Sequence, residues 1–231
     1  MSAGSVGVDV GTATMVSLIE SLADNKSALG RRYGEWAVSA PTIESAVAAA
    51  AMAQDELGHA RSTYPVLAKL GVSREDTGLE AGHPLPVIAA ELPDWASFIA
   101  ANLVVDGVLT TFVASARDSS IEPLAQRARK ILQEEGAHKV HAEAWARRIV
   151  GVGGPDRELL VRRIDEMWAS AARWPGPDSD AGYRSAMSAG MVAFSPLAIR
   201  DRVRDWLFPL VAGVSLDEPA DWSDWDERLR R

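Results

Sequence analysis

Two Glu-x-x-His pairs, Glu56 with His59 and Glu135 with His138, constrain the fold of this 231-residue chain more than any other feature. Each pair lies in a long, alanine-rich stretch whose apolar residues recur with helical spacing. Residues three positions apart share one face of an α-helix, so the carboxylate and the imidazole of a pair can bind the same ion. The chain is therefore expected to bring two such helices together around a polar site in its interior.

The hydropathy pattern predicts an almost entirely helical chain. The four long helices are predicted over residues 10–38, 43–70, 93–117 and 120–150. Short turns join the first helix to the second and the third to the fourth, whereas residues 71–91, rich in Gly and Pro, form a long crossover. This order predicts an all-α fold, a ferritin-like four-helix bundle at about residues 10–150.

The C-terminal third is predicted to add smaller elements to the same domain, which spans residues 1–231. Additional C-terminal helices are predicted over residues 156–173, 181–193 and 196–211. A charged, Trp-rich tail begins at Asp217 and is expected to be irregular and to pack against the bundle or a partner. Together these helices and the tail occupy about residues 155–231.

Composition and charge narrow the classes of function. The net charge is −8 and Lys and Arg form no dense stripe, so nucleic acid is not an expected partner. The chain contains no Cys, which excludes thiolate metal sites and suits a cytoplasmic location. The N-terminal residues lack the pattern of a signal peptide, and no continuous run of about 18 apolar residues predicts a membrane span.

Asp106, in the third helix, is predicted to lie beside Glu135 in the fourth. Both acids are about four helical turns from Ser120, which lies in the turn between these helices. Because every residue adds the same rise along a helix, residues equidistant from an antiparallel turn lie side by side. Both acids interrupt apolar stripes, where an unpaired charge costs several kcal/mol. Asp106 and the two Glu-x-x-His pairs are therefore candidate metal ligands, and the alternative is a set of buried salt bridges.

Lys26 is predicted to occupy the position where a fourth acid would complete a two-metal site. Lys26 and Glu56 lie equally far from Pro41, on opposite sides of it in the sequence. Their equal distance from this turn predicts that they lie side by side on antiparallel helices. Lys26 also lies in the apolar stripe of the first helix. Glu35 is further along that helix, about 13 Å away and on the opposite face. We interpret Glu35 as a structural surface residue.

Charge accounting favours one divalent ion. Glu56, Asp106 and Glu135 supply three negative charges, which one divalent ion and a Lys26 ammonium balance, whereas two ions would leave an excess that low dielectric makes costly. Carboxylate and imidazole ligands suit iron or manganese, and zinc also accepts them. Two alternatives stay open: a neutral Lys26 amine in a two-metal site, and a metal-free network in which Lys26 bridges the carboxylates.

Several segments resemble the oxygenase subunits of the phenylacetyl-CoA epoxidase family. AQDELGH, LVVDG and QEEGAH are similar to its catalytic subunit, whereas LADNKSALGRRYGEW and HAEAWARRI are more similar to its structural subunit. The resemblance implies a ferritin-like fold, iron, O₂ as co-substrate and a related subunit, homodimer partner or reductase. It places the family's metal ligands at Glu56, His59, Asp106, Glu135 and His138. The family's catalytic subunit has glutamate where this chain has Lys26.

Two main functions follow as hypotheses. The first is an iron-dependent oxidoreductase of the monooxygenase type, acting on a small organic and possibly CoA-linked substrate. In it Glu56 would shift its coordination as charge changes, and Lys26 would stabilise negative charge on oxygen. The second is a structural subunit that pairs with a catalytic paralogue. A metal-storage role is a third, which a single site per chain disfavours.

Overall fold

The computed structural model describes residues 9–72 and 82–231, and all regular elements within these residues are helical. In chain order they are α1 (Val10–Trp36), α2 (Ile43–Lys69), α3 (Pro86–Ala89), α4 (Trp95–Ala100), a π segment (Ala101–Asp106), α5 (Gly107–Ser115), α6 (Glu122–Val152), α7 (Gly154–Ala171), α8 (Ala181–Ser188) and α9 (Pro196–Leu207). The predicted all-α, ferritin-like class is confirmed. Residues 73–81 of the predicted crossover lie outside the described residues, and the part that follows contains α3.

Four long helices form the bundle, because α4, the π segment and α5 continue one another as a single helix, Trp95–Ser115. Helix α1 packs along α2, α2 packs against α6, and the π segment contacts both α1 and α6. The apolar stripes predicted from the sequence form the core. Fully or nearly fully buried members are Met15, Leu18, Leu29, Ala49, Met52, Ile99, Leu103, Leu109, Leu124 and Ile131.

The continuous helix Trp95–Ser115 is the most apolar element of the described chain. By length and composition alone it could cross a membrane, but 89% of its apolar window is buried inside the structure. Its apolarity therefore matches a central position in the core. The π segment within it was not predicted from the sequence, since a widened turn leaves no signature in the hydropathy pattern. It ends at Asp106, and such segments occur often at functional sites.

Side-chain caps explain where several helices begin. Thr42, at the start of α2, accepts a hydrogen bond from the backbone N–H of Ser45, and Ser195, at the start of α9, accepts one from the N–H of Ala198. Neither Ser119 nor Ser120 caps α6, which begins after Ile121. Ser119 instead accepts a hydrogen bond from the Ile121 N–H and shapes the turn.

The outer helices pack against the helices of the bundle. Helix α7 packs on α4 and the π segment, α8 packs on α1, and α9 packs on α5. The tail beyond α9 is irregular, as the sequence predicts, and it packs against the bundle. Thr14 of α1 donates a hydrogen bond to Glu227, and the buried Arg230 donates to the carbonyl oxygen of Trp174.

Candidate metal centre

Six polar side chains from all four long helices meet in the bundle interior. Each is at most 5% exposed. They are Lys26 of α1, Glu56 and His59 of α2, Asp106 of the π segment, and Glu135 and His138 of α6. The structure thus brings together all the residues that the sequence singles out. The helix periodicity that placed them on apolar stripes is what directs them inward.

Lys26 is in contact with all three acids of the centre. Its ammonium donates hydrogen bonds to Glu56 Oε1 at 3.1 Å, to Asp106 Oδ1 at 2.5 Å and to Glu135 Oε1. The sequence predicted Lys26 beside Glu56, and contact with all three carboxylates is the arrangement that the metal-free alternative predicted. One oxygen of each carboxylate is therefore directed toward the Lys26 ammonium, which lies between them.

Four of the six residues are arranged so that they could hold one metal ion. Glu56, Asp106, Glu135 and His138 each offer a ligand atom, and these atoms all lie within 4.8 Å of one another. His138 Nδ1 lies 3.3 Å from Glu56 Oε1, 3.6 Å from Asp106 Oδ2 and 3.3 Å from Glu135 Oε2. A small contraction around an ion would bring such donors to coordination distance. His59 is not a member of this group.

Buried atoms without hydrogen-bond partners also fit a cation. Glu56 Oε2, His59 Nδ1 and His138 Nδ1 are buried and make no hydrogen bond within the described residues. Leaving a buried polar atom unsatisfied costs about 1–3 kcal/mol. A metal ion would bond the imidazole nitrogen and the carboxylate oxygen directly. The residues present therefore fit a carboxylate- and imidazole-bound divalent ion.

Two further carboxylates hold the histidine rings from outside the centre. His59 Nε2 of α2 lies 2.9 Å from Glu134 Oε2 of α6, and His138 Nε2 of α6 lies 3.3 Å from Asp55 Oδ2 of α2. Each helix therefore orients the histidine of the other, and each ring turns its Nδ1 toward the centre. Such outer hydrogen bonds fix the tautomer and orientation of ligating histidines.

The sequence analysis missed Asp55 and Glu134, although a signal for them exists. Each acid directly precedes a candidate ligand, in Asp55-Glu56 and Glu134-Glu135. A step of one residue turns a side chain by about 100° on a helix, so these acids point to the neighbouring helix instead of the centre. Recognising them requires knowing that α2 and α6 are neighbours.

The charges of the centre shift its pKa values strongly. Burial lowers the pKa of Lys26, but Asp106, Glu135 and Glu56 outweigh burial and raise it well above its usual value. Burial likewise lowers the pKa of each histidine, whereas the adjoining carboxylates outweigh burial and raise the pKa of His138 to about 12 and that of His59 to about 9. These directions favour a Lys26 ammonium over the neutral amine.

The acids respond differently to the same surroundings. Burial raises the pKa of Glu135, but the Lys26 ammonium outweighs burial and holds this pKa well below its usual value. Burial and the charges of Glu135 and Glu56 raise the pKa of Asp106. Without an ion, three carboxylates thus face protonated Lys26, His59 and His138, and the charges balance. One divalent ion carries the same charge as the two imidazole protons, so it can replace them without changing the net charge of the centre.

A cleft leads from the protein surface to two of the candidate ligands. It has a volume of about 220 Å³ and runs between α6 and the helix that carries Asp106. Its walls are Asn102, Asp106, Gly107, Thr110, Thr111, Leu132, Glu135, Gly136, Lys139 and Trp206. Thr110 donates a hydrogen bond to Asp106 Oδ1 at 3.3 Å, so one wall of the cleft supports a ligand. A small molecule in this cleft would lie next to the centre.

Glu35 lies apart from the centre, as the sequence predicts. Its carboxylate is 43% exposed and pairs with Arg32 at 2.9 Å on the same helix, α1. Helix geometry therefore excludes it from the site and leaves Lys26 in the position of the fourth acid.

Comparison with known proteins identifies the family. A family model described as "Phenylacetic acid catabolic protein" matches residues 2–231. The chain belongs to this family. The A subunit of 1,2-phenylacetyl-CoA epoxidase from Escherichia coli (strain K12) is 26% identical over 192 residues, which cover 80% of this chain and 62% of the relative. The C subunit of the same epoxidase is 25% identical over 200 residues, which cover 84% of this chain and 78% of the relative.

Membership of the phenylacetic acid catabolic protein family confirms the resemblance predicted from the sequence. The identities to the two epoxidase subunits are nearly equal, in agreement with motifs that resemble both kinds of subunit. This member of the family spans less than two thirds of the longer relative, the A subunit. In this member of the family, Lys26 lies between three buried carboxylates.

Proposed function

We propose that this protein binds one divalent iron between Glu56, Asp106, Glu135 and His138 and acts as a monooxygenase. The observation that carries the proposal is the buried group of four ligand atoms within 4.8 Å of one another. In the proposed reaction one oxygen atom of O₂ enters a small organic substrate and the other leaves as water. The two electrons come from a partner reductase and the two protons from solvent, so the reaction balances.

The donors are carboxylates and an imidazole, which suit iron and also accept manganese or zinc. Iron is the metal proposed here because the proposed reaction is an oxygenation. Bound iron would supply the redox chemistry that the activation of O₂ requires. The protein supplies the rest. Asp55 and Glu134 orient the histidines, and burial of the centre excludes water. Family membership supports an oxygenase, because similar proteins are named as epoxidase subunits.

Lys26 is proposed to limit the centre to one ion. Its ammonium contacts Glu56, Asp106 and Glu135, and it supplies positive charge that a second ion would otherwise bring. The raised pKa of Lys26 supports the charged form at neutral pH. The proposed catalytic role of Lys26 is to hold a proton at Nζ beside the centre, where it stabilises negative charge on oxygen. Glu56, the other residue with a proposed catalytic role, accepts a hydrogen bond from Lys26 and would also hold the iron.

A second candidate function is a structural subunit in a heteromeric epoxidase. The triple contact of Lys26 favours it, because the ammonium and two protonated histidines can balance the three carboxylates without any metal. The similarity to subunits of a multi-subunit enzyme also supports a related partner chain. Both candidate functions predict association with related chains, so association alone does not distinguish them.

Iron stoichiometry separates the two functions. After anaerobic loading with Fe(II) and desalting, we expect one iron per wild-type chain and two per Lys26→Glu chain, because the variant gains the fourth carboxylate. Lys26→Gln is the matched control, which removes the ammonium without adding a carboxylate, and we expect it to keep one iron. Equal stoichiometry in wild type and Lys26→Glu contradicts the one-ion centre. A folded wild-type protein without iron supports the structural subunit.

Oxygen consumption then tests the reaction itself. We expect the iron-loaded protein, given a reductase, to consume O₂ faster when an organic substrate is present. His138→Ala removes one ligand and is expected to abolish both iron binding and this increase. Iron binding without any substrate-dependent O₂ consumption would contradict the monooxygenase proposal.

A further inference from the structure

An aromatic cluster of five side chains runs from the bundle interior to the last residue of α1, Trp36. Its middle is Phe98, whose ring stacks on Trp95 with 4.3 Å between ring centres and contacts Tyr33 at 5.0 Å. Trp95 in turn contacts Trp36 at 5.4 Å and Trp145 at 5.2 Å, both edge to face. Three of the eight Trp residues of the chain therefore lie in one continuous series of ring contacts.

The inner edge of the aromatic cluster adjoins the metal centre. Tyr33 lies seven residues after Lys26 on the same face of α1, which is about 10 Å along the helix axis. Burial raises the pKa of Tyr33 well above its usual value, and the three carboxylates of the centre raise it further. On α6, His141 lies one turn beyond the candidate ligand His138 and contacts the ring of Trp95 at 6.0 Å. The rings are thus within one or two helical turns of the centre.

The three tryptophans form the outer edge of the aromatic cluster. Trp36, Trp95 and Trp145 are each partly exposed. Trp145 Nε1 donates a hydrogen bond to Ser45 Oγ at 2.9 Å, which holds its ring between α2 and α6. The Arg148 guanidinium lies 4.8 Å from this ring, but Arg148 is exposed and solvent screens its charge. The aromatic cluster therefore connects the surroundings of the buried centre with solvent.

The polar atoms of the aromatic cluster determine how its rings can be oxidised. Tyrosine loses its hydroxyl proton together with an electron and needs a base beside it, whereas tryptophan can lose an electron and keep its proton. Buried Trp and Tyr side chains usually have a hydrogen-bond partner. The Trp95 Nε1 and Tyr33 hydroxyl atoms are nevertheless buried without a hydrogen bond within the described residues. Trp95 can therefore be oxidised reversibly to a radical cation, and Tyr33 lacks the base that it needs to trap the charge.

We propose that Trp36, Trp95 and Trp145 form an electron path between the metal centre and the protein surface. Its role rests on the proposed function: when an oxidant derived from O₂ at the centre meets no substrate, Trp95 gives it one electron and becomes a radical cation. Trp36 or Trp145 then reduces Trp95. A thiolate in solvent reduces the partly exposed ring and becomes a thiyl radical. Each step between the rings moves one electron and no proton, and the side chains of the centre are spared from oxidation.

A photosensitiser attached near Trp36 tests the path in the metal-free full chain. The chain contains no Cys, so Val38→Cys provides a single attachment site, and Val38 is 89% exposed and two residues from Trp36. Under light, a ruthenium tris-bipyridyl label gives an electron to a Co(III) acceptor, and the resulting Ru(III) takes one from Trp36. Without a thiol, the radical cations react with water and O₂ to hydroxylated products that peptide mass spectrometry locates. We expect products at Trp36, Trp95 and Trp145.

Trp95→Phe, in the labelled chain, separates a path from independent oxidation of each ring. Trp95 is in contact with both other tryptophans, so this variant is expected to keep the product at Trp36 and to lose that at Trp145. Trp222→Phe is the matched control. Trp222 is also partly exposed and also contacts another tryptophan, Trp225 at 6.0 Å, but it lies in the tail. It is expected to leave the product at Trp145 unchanged.

Trp36→Phe gives a second variant if Trp95→Phe does not fold. It removes the ring at which the charge enters, so the products at Trp95 and Trp145 are both expected to be lost. The proposal is overturned if the labelled chain gives no product at Trp95. It is also overturned if Trp145 is oxidised equally with and without the Trp95 ring, or if Trp222→Phe has the same effect as Trp95→Phe.

Iron loading tests the connection to the centre and separates this proposal from the proposed function. In the labelled chain loaded anaerobically with Fe(II), light is expected to produce Fe(III), which electron paramagnetic resonance detects, and Trp95→Phe is expected to slow its appearance. If iron does not bind, the proposed metal site fails while the products at the tryptophans still decide whether the path exists. If iron binds and is oxidised equally fast in both chains, the path does not serve the centre and the proposal is wrong.

Discussion

Buried cations occur both in the bundle centre and under the C-terminal tail, and they are stabilised in opposite ways. In the centre, Lys26 contacts three carboxylates. Under the tail, Arg230 donates to the carbonyl oxygens of Trp174 and Pro175, and Arg200 pairs with the single carboxylate of Glu218 and with backbone carbonyls.

The pKa directions express the same difference. Burial lowers the pKa of Lys26, but the surrounding acids outweigh it and the net pKa is raised. Burial also lowers the pKa of Arg230, and there it dominates and brings the value to about 10. The carboxylates of the centre therefore stabilise a buried cation through charge, whereas the tail region uses its arginines to fix the backbone.

The largest expected effect comes from Lys26→Met. Removing the ammonium leaves three buried carboxylates with too few cations, and breaking a buried ion pair in this way costs about 3–5 kcal/mol. Urea unfolding of the metal-free protein measures this loss. Millimolar Mn²⁺ is expected to restore much of the stability of the variant, because the ion replaces the missing charge. A variant as stable as the wild type without any ion would show that the ammonium does not stabilise the buried carboxylates.

The pH dependence of the metal-free protein is the next largest effect. His59 and His138 have folded-state pKa values of about 9 and about 12, above the ordinary value of 6.5. Their stabilisation is complete below pH 6.5 and is lost as pH rises toward the folded-state values. Between pH 7 and 8 the folded state holds up to two more protons, each worth about 1.4 kcal/mol per pH unit, so the free energy of unfolding falls by up to about 2.7 kcal/mol.

Urea unfolding at pH 6, 7 and 8 measures this slope. Saturating Mn²⁺ is expected to remove most of it, because a ligating imidazole binds metal in its neutral form. Stability that rises between pH 7 and 8 without metal would show that the histidines are neutral in the folded protein.

Arg230→Met gives a smaller effect of another kind. It leaves the carbonyl oxygens of Trp174 and Pro175 without their donor, which we expect to cost about 1–3 kcal/mol. Urea unfolding with and without Mn²⁺ is the measurement, and no rescue by the ion is expected. Rescue equal to that of Lys26→Met would remove the distinction between the two regions.

The smallest effect is expected from the carboxylates outside the centre. Asp55→Asn and Glu134→Gln keep the size of the side chain but weaken its hold on His138 and His59. Replacing such outer partners typically lowers metal affinity about 10–100-fold. Because His138 belongs to the four-ligand group and His59 does not, Asp55→Asn should weaken Mn²⁺ binding more than Glu134→Gln. Titration calorimetry provides the comparison.

The sequence predicted the bundle and the convergence of the centre because both depend on helical periodicity. Asp106 and Lys26 were placed by counting residues from the turns, a measure that works wherever α-helices are regular. Counting residues did not predict the π segment of the third helix, because the count assumes a regular α-helix. The orientation of Asp55 and Glu134 and the cleft under Trp206 depend on how α2, α6 and α9 pack together, and local spacing does not contain that information.

Anomalous X-ray diffraction from crystals of the Mn²⁺- or Fe(II)-loaded protein tests the central claim most directly. We predict one anomalous peak among Glu56, Asp106, Glu135 and His138, with the Lys26 side chain still directed into the centre. Two peaks, with Lys26 displaced, would contradict the claim that its ammonium takes the place of a second ion. No peak in a well-ordered centre would contradict the metal site itself.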